Sequence, residues 1–174
     1  MFASSCSRRQ GWLLAIAVMT LGCGSAQLEA PSPSAPSALL DRPLPEVRRP
    51  TVQGASVAVS GGSGKVVVVK FFAEYCKPCQ QTLPAAEVLR QQHPDVVWLG
   101  ISEDETLEAA IAQVRRYGLG FPVVLDRGHV LRGRFRVDEL PMTFVADRRG
   151  NVVWVGDGRH DETDLARAIQ RASQ

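Results

Sequence analysis

The chain has no surplus of charge in its body, no long apolar run, and few cysteines that could reach a folded domain. Its net charge of +2 is owed to Arg8 and Arg9; without them the remaining 18 basic residues match the 18 acidic ones. A balanced body without basic runs gives no reason to invoke nucleic acid. The longest apolar stretch near the start, Gly11 to Leu21, is about half of the roughly 20 residues a membrane-spanning helix needs. Of the four cysteines, Cys6 and Cys23 lie in this leader, which leaves only Cys76 and Cys79 downstream. A structural zinc site wants four ligands at set spacings, and His93, His129 and His160 are scattered, so no metal is expected. The loop Ser60-Gly61-Gly62-Ser63-Gly64-Lys65 lacks the leading glycine of a phosphate-binding loop, and Val66 follows where a serine or threonine would bind magnesium. It reads as a flexible turn.

What is present begins with that leader. Two arginines followed by an apolar segment form an export signal. The segment ends in Leu21-Gly22-Cys23-Gly24, which resembles the lipobox of bacterial lipoproteins with Cys23 as the lipidated residue, although Thr20 stands where that box carries leucine. Cleavage near Gly24–Ala26 by an ordinary signal peptidase, or an uncleaved anchor, are the alternatives. Residues 24–50 hold Pro31, Pro33, Pro36, Pro43, Pro45 and Pro50 among serines and alanines, and are expected to form an extended tether. The expected division is therefore a lipoprotein-type signal peptide at 1–23, a tether at 24–50 and one folded domain at 51–174.

The domain is organised around Cys76-Lys77-Pro78-Cys79 and the run Val66 to Phe72 before it. Seven residues of β-branched, aliphatic and aromatic type, broken only by Lys70, predict a strand buried on both faces. A helical pattern follows, with Leu83, Ala86 and Leu89 inward and Pro84 interrupting. Cys76 is thus expected at the end of a strand and the start of a helix, where free N–H groups and the helix dipole favour a thiolate. A thiolate within reach of a second thiol suits thiol–disulfide exchange. A structural staple is the weaker reading, since a loop of so few residues constrains the unfolded chain little.

Downstream, Val96 to Ile101 predicts a second buried strand. Ser102 with Glu105 predicts a capping box opening a helix whose apolar face is Leu107, Ile111, Val114 and Tyr117 and which ends at Gly118. A third strand is expected over Phe121–Leu125 and a short helix over 128–135. Strands over Thr143–Ala146 and Val152–Val155 form a hairpin about the turn Asp147–Asn151. Asp161 caps a last helix with Leu165, Ile169 and Ala172 inward. The pattern is α/β: a three-layer sandwich with a mixed central sheet flanked by helices.

Phe71-Phe72-Ala73-Glu74-Tyr75-Cys76-Lys77-Pro78-Cys79, Pro84 five residues on, and Leu140-Pro141-Met142-Thr143-Phe144 together resemble the thioredoxin superfamily over roughly residues 50–174. Within it the chain is similar to the membrane-tethered TlpA/ResA-type thiol–disulfide oxidoreductases. The resemblance implies a thioredoxin-like fold and catalytic roles for Cys76 as attacking thiolate, Cys79 as resolving thiol and Pro141 as a cis-proline facing them. It further implies that Leu140 pairs through its backbone with a substrate strand, with Tyr75, Lys77 and Pro78 around it. Two positions depart from the pattern. Tyr75 replaces a tryptophan, and Lys70 stands where thioredoxins bury the acid that handles the Cys79 proton. The expectation for Lys70 is a stem reaching the sheet end with its charge in water; a buried base of lowered pKa is the alternative.

The implied activity is disulfide reduction in exported proteins, cytochrome c maturation among the possibilities, at the periplasmic side of a bacterial envelope. No cofactor is expected. The implied partners are disulfide-containing exported proteins, a membrane electron donor of the DsbD/CcdA type, and the lipid bilayer through Cys23, with the chain a monomer. The competing readings are a disulfide-introducing oxidase of the same fold, and a tethered client-binding or chaperone module without redox turnover. A peroxide reductase would want a threonine three residues before its reactive cysteine, and Ala73 is there.

Overall fold

A computed structural model describes residues 37–174, built from seven strands and four α-helices. The central sheet contains β3 (Val67–Phe72), β4 (Val97–Ser102), β5 (Val123–Leu125), β6 (Met142–Ala146) and β7 (Val152–Gly156), in the order β5-β4-β3-β6-β7. β3, β4 and β5 run parallel, and β6 and β7 fold back antiparallel, so the expected mixed sheet is present. β3 is central and all six of its residues are buried, Lys70 among them, as expected of a strand that is apolar at its other five positions.

The two faces of the sheet carry two cores. Val67, Val69 and Phe71 of β3 pack with Phe135, Phe144 and Val47 on one side, under α3 (Val130–Phe135). Val68 and Phe72 pack on the other with Cys79, Leu83, Leu165 and Ile169, under α1 (Lys77–Gln92) and α4 (Glu162–Ala172). α2 (Leu107–Tyr117) lies against α1 and β5. This is the three-layer arrangement read from the alternation of strands and helices. α1 runs on through Pro84, whose ring lies on the exposed face.

The folded unit starts earlier than Thr51. β1 (Val47–Pro50) pairs antiparallel with β2 (Ser56–Val59), and Leu39, Leu44 and Val47 are buried in the first core. Residues 41–44 run beside β7, where the Asp41 N–H donates to the Val152 carbonyl and the Val152 N–H to the Arg42 carbonyl, both at 2.8 Å. Arg49 further reaches the buried carboxylate of Asp126, at 3.8 Å. Residues 37–50 therefore belong to the domain rather than to a tether. Of the prolines in that stretch, Pro43, Pro45 and Pro50 stand at a strand end and in a crossing segment, where a missing N–H breaks no ladder. The signal segment, Cys23 and residues 24–36 lie outside the described residues.

Two local expectations are corrected. α2 begins four residues later than the proposed capping box, with Thr106 as its cap; the Thr106 hydroxyl accepts the Ala109 N–H at 3.1 Å. The Ser102 hydroxyl donates instead to Asp104, at 2.8 Å. Of the expected apolar face of α2, Val114 and Tyr117 pack against the second core beside buried Ala110 and Gln113, while Leu107 is left exposed. The Gly61–Gly64 loop is also docked rather than free: a Cβ at Gly61 would fall 2.5 Å from the Gly150 Cα, and the Gly64 N–H donates to the Arg148 carbonyl at 3.2 Å. Only glycine permits that approach of two backbones.

α4 begins as expected. The Asp161 carboxylate accepts the N–H groups of Thr163 and Asp164 at 2.8 and 3.0 Å, and Asp164 answers the Asp161 N–H. Asp161→Ala should lower stability by about 1 kcal/mol, read as a lower urea midpoint at unchanged slope.

Candidate active site

The site sits where β3 ends and α1 begins. Cys76 is the N-cap residue of α1, and its Sγ accepts the Cys79 N–H at 3.2 Å. The two cysteines form a disulfide, their Cα atoms 5.3 Å apart. Cys79 is fully buried and Cys76 is 6% exposed, whereas Tyr75 beside it is 64% exposed and Lys77 and Pro78 face solvent. The outer sulfur is thus the one in reach of another molecule, and it lies among the unsatisfied N–H groups of a helix N-terminus.

The loop that presents Cys76 is anchored by a residue that sequence reasoning missed. Buried Asp104, just past β4, accepts the Glu74 N–H at 2.7 Å with one oxygen and the Ser102 hydroxyl at 2.8 Å with the other. The Glu103 N–H donates to the Phe72 carbonyl at 2.9 Å, so the chain leaving β4 also fixes the end of β3. The signal for Asp104 was an acid directly after a buried strand, and the capping pattern Ser102–Glu105 concealed it.

Pro141 approaches from the start of β6. The Leu140–Pro141 peptide bond is cis. Gly158 shows how near Pro141 comes to the cysteine loop: a Cβ built there would lie 3.3 Å from Pro141 Cδ and 3.5 Å from Pro78 Cβ. Leu140 is half-buried and packs against both cores. The structure therefore brings Cys76, Cys79, Pro78 and Pro141 together, with Tyr75 and Lys77 on the exposed rim.

Lys70 is not where it was expected. It is 4% exposed, and its ammonium group donates to the Thr143 hydroxyl at 3.2 Å across the β3–β6 pairing. Burial pushes its pKa down from 10.5 to about 8. The reason lies in strand parity: Lys70 falls between Val68 and Phe72, whose side chains pack in the core under α1 and α4. Lys70 is among the residues that line a pocket of about 320 Å³ between α1 and the segment from Asp157 to Thr163.

A second charged cluster stands at the ends of β4 and β5. Burial raises the Glu103 pKa, against the opposing hydrogen bond from His129 Nδ1 at 2.6 Å, and nearby Asp126 raises it further. Asp126 in turn accepts the Leu131 and Arg132 N–H groups at 3.0 and 2.8 Å, fixing the start of α3. Among the described residues, no group of three or more His, Cys, Asp and Glu is arranged to hold a metal ion, and no helix is long and apolar enough to cross a membrane.

Comparison with known proteins agrees with this geometry. A family model described as the AhpC/TSA family matches residues 40–155. The chain is 33% identical over 104 residues to a protein named thiol-disulfide oxidoreductase ResA from Bacillus thuringiensis (strain Al Hakam), a match covering 59% of this chain and 60% of that one. It is 30% identical over 122 residues to a ResA of Bacillus cereus, covering 69% and 70%. The chain thus spans about three-fifths of the length of the first relative and somewhat more of the second. Among solved structures, a thiol:disulfide interchange protein of the thioredoxin family from Chlorobium tepidum TLS superposes with a TM-score of 0.67 at 25% identity, over 81% of this chain and 99% of that one. The thioredoxin-like fold expected from the sequence is therefore present.

Proposed function

The chain belongs to the AhpC/TSA family, and from that premise we propose that it is a thiol–disulfide oxidoreductase working through Cys76 and Cys79. The observation that carries this reading is the placement of the pair. One sulfur caps a helix at the surface and the other is buried one turn behind it, already joined to the first. In the reduced protein the Cys76 thiolate attacks a disulfide sulfur of the substrate and forms a mixed disulfide. Cys79 then attacks Cys76 Sγ, releases the substrate thiol and restores the internal disulfide. Pro141 presents the neighbouring Leu140 backbone to an extended substrate segment, and exposed Tyr75, Lys77 and Pro78 border it. Buried Ala73, in place of a threonine, weighs against peroxide reduction.

The finer reading is a reductase of disulfides in exported proteins. It would be held at the bacterial envelope by lipid on Cys23 and recharged by a membrane electron donor. Arg8, Arg9, the short apolar segment and Leu21-Gly22-Cys23-Gly24 support export and lipidation.

The test is the reduction potential of the pair in the purified protein, equilibrated in glutathione buffers and read by alkylation of the peptide holding Cys76 and Cys79. A reductase should give a value near about −270 mV, whereas a value near about −120 mV would identify an oxidant. A pair that forms no disulfide at any poise would leave only the client-binding reading.

A further inference from the structure

The chain leaving β4 keeps hold of β3 beyond their last paired residues. Ser102 pairs with Phe72, and the Glu103 N–H still donates to the Phe72 carbonyl at 2.9 Å. Asp104 then turns its buried carboxylate back. One oxygen accepts the Ser102 hydroxyl at 2.8 Å, and the Asp104 N–H donates to that same hydroxyl at 3.2 Å. Short polar side chains often close such a local turn. The base of the turn is tied to the end of β5 as well, since the Asp126 N–H donates to the Ser102 carbonyl at 2.8 Å. The second carboxylate oxygen leaves this turn altogether. It accepts the Glu74 N–H, at 2.7 Å, from the loop that presents Cys76.

The Glu74 N–H belongs to the peptide group whose carbonyl is that of Ala73, and this carbonyl accepts the Cys76 N–H at 3.2 Å. One planar amide thus has Asp104 on its N–H side and the attacking cysteine on its carbonyl side. A carboxylate on the N–H polarises the amide and strengthens its carbonyl as an acceptor. Glu74 and Tyr75, which follow, are exposed, and so the turn into α1 leans on this amide. In the oxidised protein the bond to Cys79 also holds Cys76 in place. Once that bond opens, the amide carries more of the constraint.

We propose, on the oxidoreductase reading above, that Asp104 is a positioning residue of the redox pair. Through the Ala73–Glu74 amide it keeps Cys76 beside Cys79 in the reduced protein, and so it sets the reduction potential. A dithiol already held in place loses little freedom when its disulfide closes, which favours the disulfide. Freeing the turn would give conformational entropy to the dithiol and little to the disulfide, whose own bond still holds the ring. The reduced form gains, and the potential becomes less negative. Loss of a negative charge near a thiolate acts in the same direction. Asparagine separates the two causes, because it removes the charge yet keeps an oxygen for the Glu74 N–H.

The experiment compares wild type, Asp104→Ala, Asp104→Asn and Ser102→Ala in glutathione buffers. Asp104→Ala should move the equilibrium about tenfold toward the dithiol, which is about 30 mV less negative for a two-electron couple. Asp104→Asn should stay within about twofold of wild type. Ser102→Ala leaves the Glu74 N–H its partner but loosens the carboxylate that holds it, and should move the equilibrium about threefold in the same direction. Equal shifts in Asp104→Ala and Asp104→Asn would assign the effect to charge and overturn the positioning role. So would an unchanged potential in Asp104→Ala beside a lower urea midpoint, the mark of a purely structural residue. If Asp104→Ala does not fold, Ser102→Ala decides, and an unchanged potential there overturns the role. A wild-type protein that forms no disulfide at any poise would sink the oxidoreductase reading alone. Hydrogen exchange of the Cys76 N–H in chemically reduced protein then settles the positioning role by itself. It should quicken at least about tenfold in Asp104→Ala and stay within about twofold in Asp104→Asn. An equal rate in wild type and Asp104→Ala would overturn it.

Discussion

Cys79→Ser is expected to turn the protein from a turnover catalyst into a trap. In the reduced variant Cys76 remains at the N-terminus of α1, among free backbone N–H groups that favour its thiolate, so attack on a disulfide substrate proceeds. Resolution does not, because the serine hydroxyl in the buried position cannot displace sulfur from Cys76. Turnover should fall to the uncatalysed level while a covalent adduct accumulates, seen as a mass increase that dithiothreitol reverses. Cys76→Ser should lose turnover equally but form no adduct, since the remaining thiol is fully buried. The asymmetry is the informative part. Equal trapping by both variants would mean that the sulfurs are equally accessible, against the burial difference between them. Retained function in Cys76→Ser would instead favour a binding module.

The parts of this site that could be read from sequence are those whose chemistry is local. A buried strand followed by two cysteines at helical spacing places one sulfur at a helix start and the other a turn inside, whatever the rest of the chain does. The β6–β7 hairpin and the Asp161 cap were similarly written in turn and capping residues. What escaped depended on partners distant along the chain. Val47 looks like one valine among prolines and arginines, and its burial follows only from its place against Phe71 and Phe144 across the first core. Asp104 matters because Glu74, thirty residues earlier, turns its N–H toward it. Lys70 departs from the general outward habit of lysine because its place in β3 turns it into the interior. In an uninterrupted buried run the parity of the strand fixes the direction of a side chain more firmly than its charge does.

Lys70→Met is expected to stabilise the oxidised protein at neutral pH, with a gain that vanishes as pH rises. In the fold the lysine pKa is lowered to about 8, against 10.5 in the unfolded chain. The unfolded chain therefore binds more protons between these values, and wild-type stability rises with pH across that window. Below about pH 8 both states carry the charge, and the fold bears its full desolvation cost. Two and a half pKa units correspond to about 3 kcal/mol. Methionine keeps the stem and removes the charge, but it strands the buried Thr143 hydroxyl, which returns about 1 kcal/mol. The net gain near pH 7 should be about 2 kcal/mol, read as a higher urea midpoint with unchanged slope. Well above pH 10.5 the amine is neutral in both states, and the variant should be the less stable protein by the stranded hydroxyl alone. A stability difference independent of pH would show that Lys70 is hydrated, contrary to its burial.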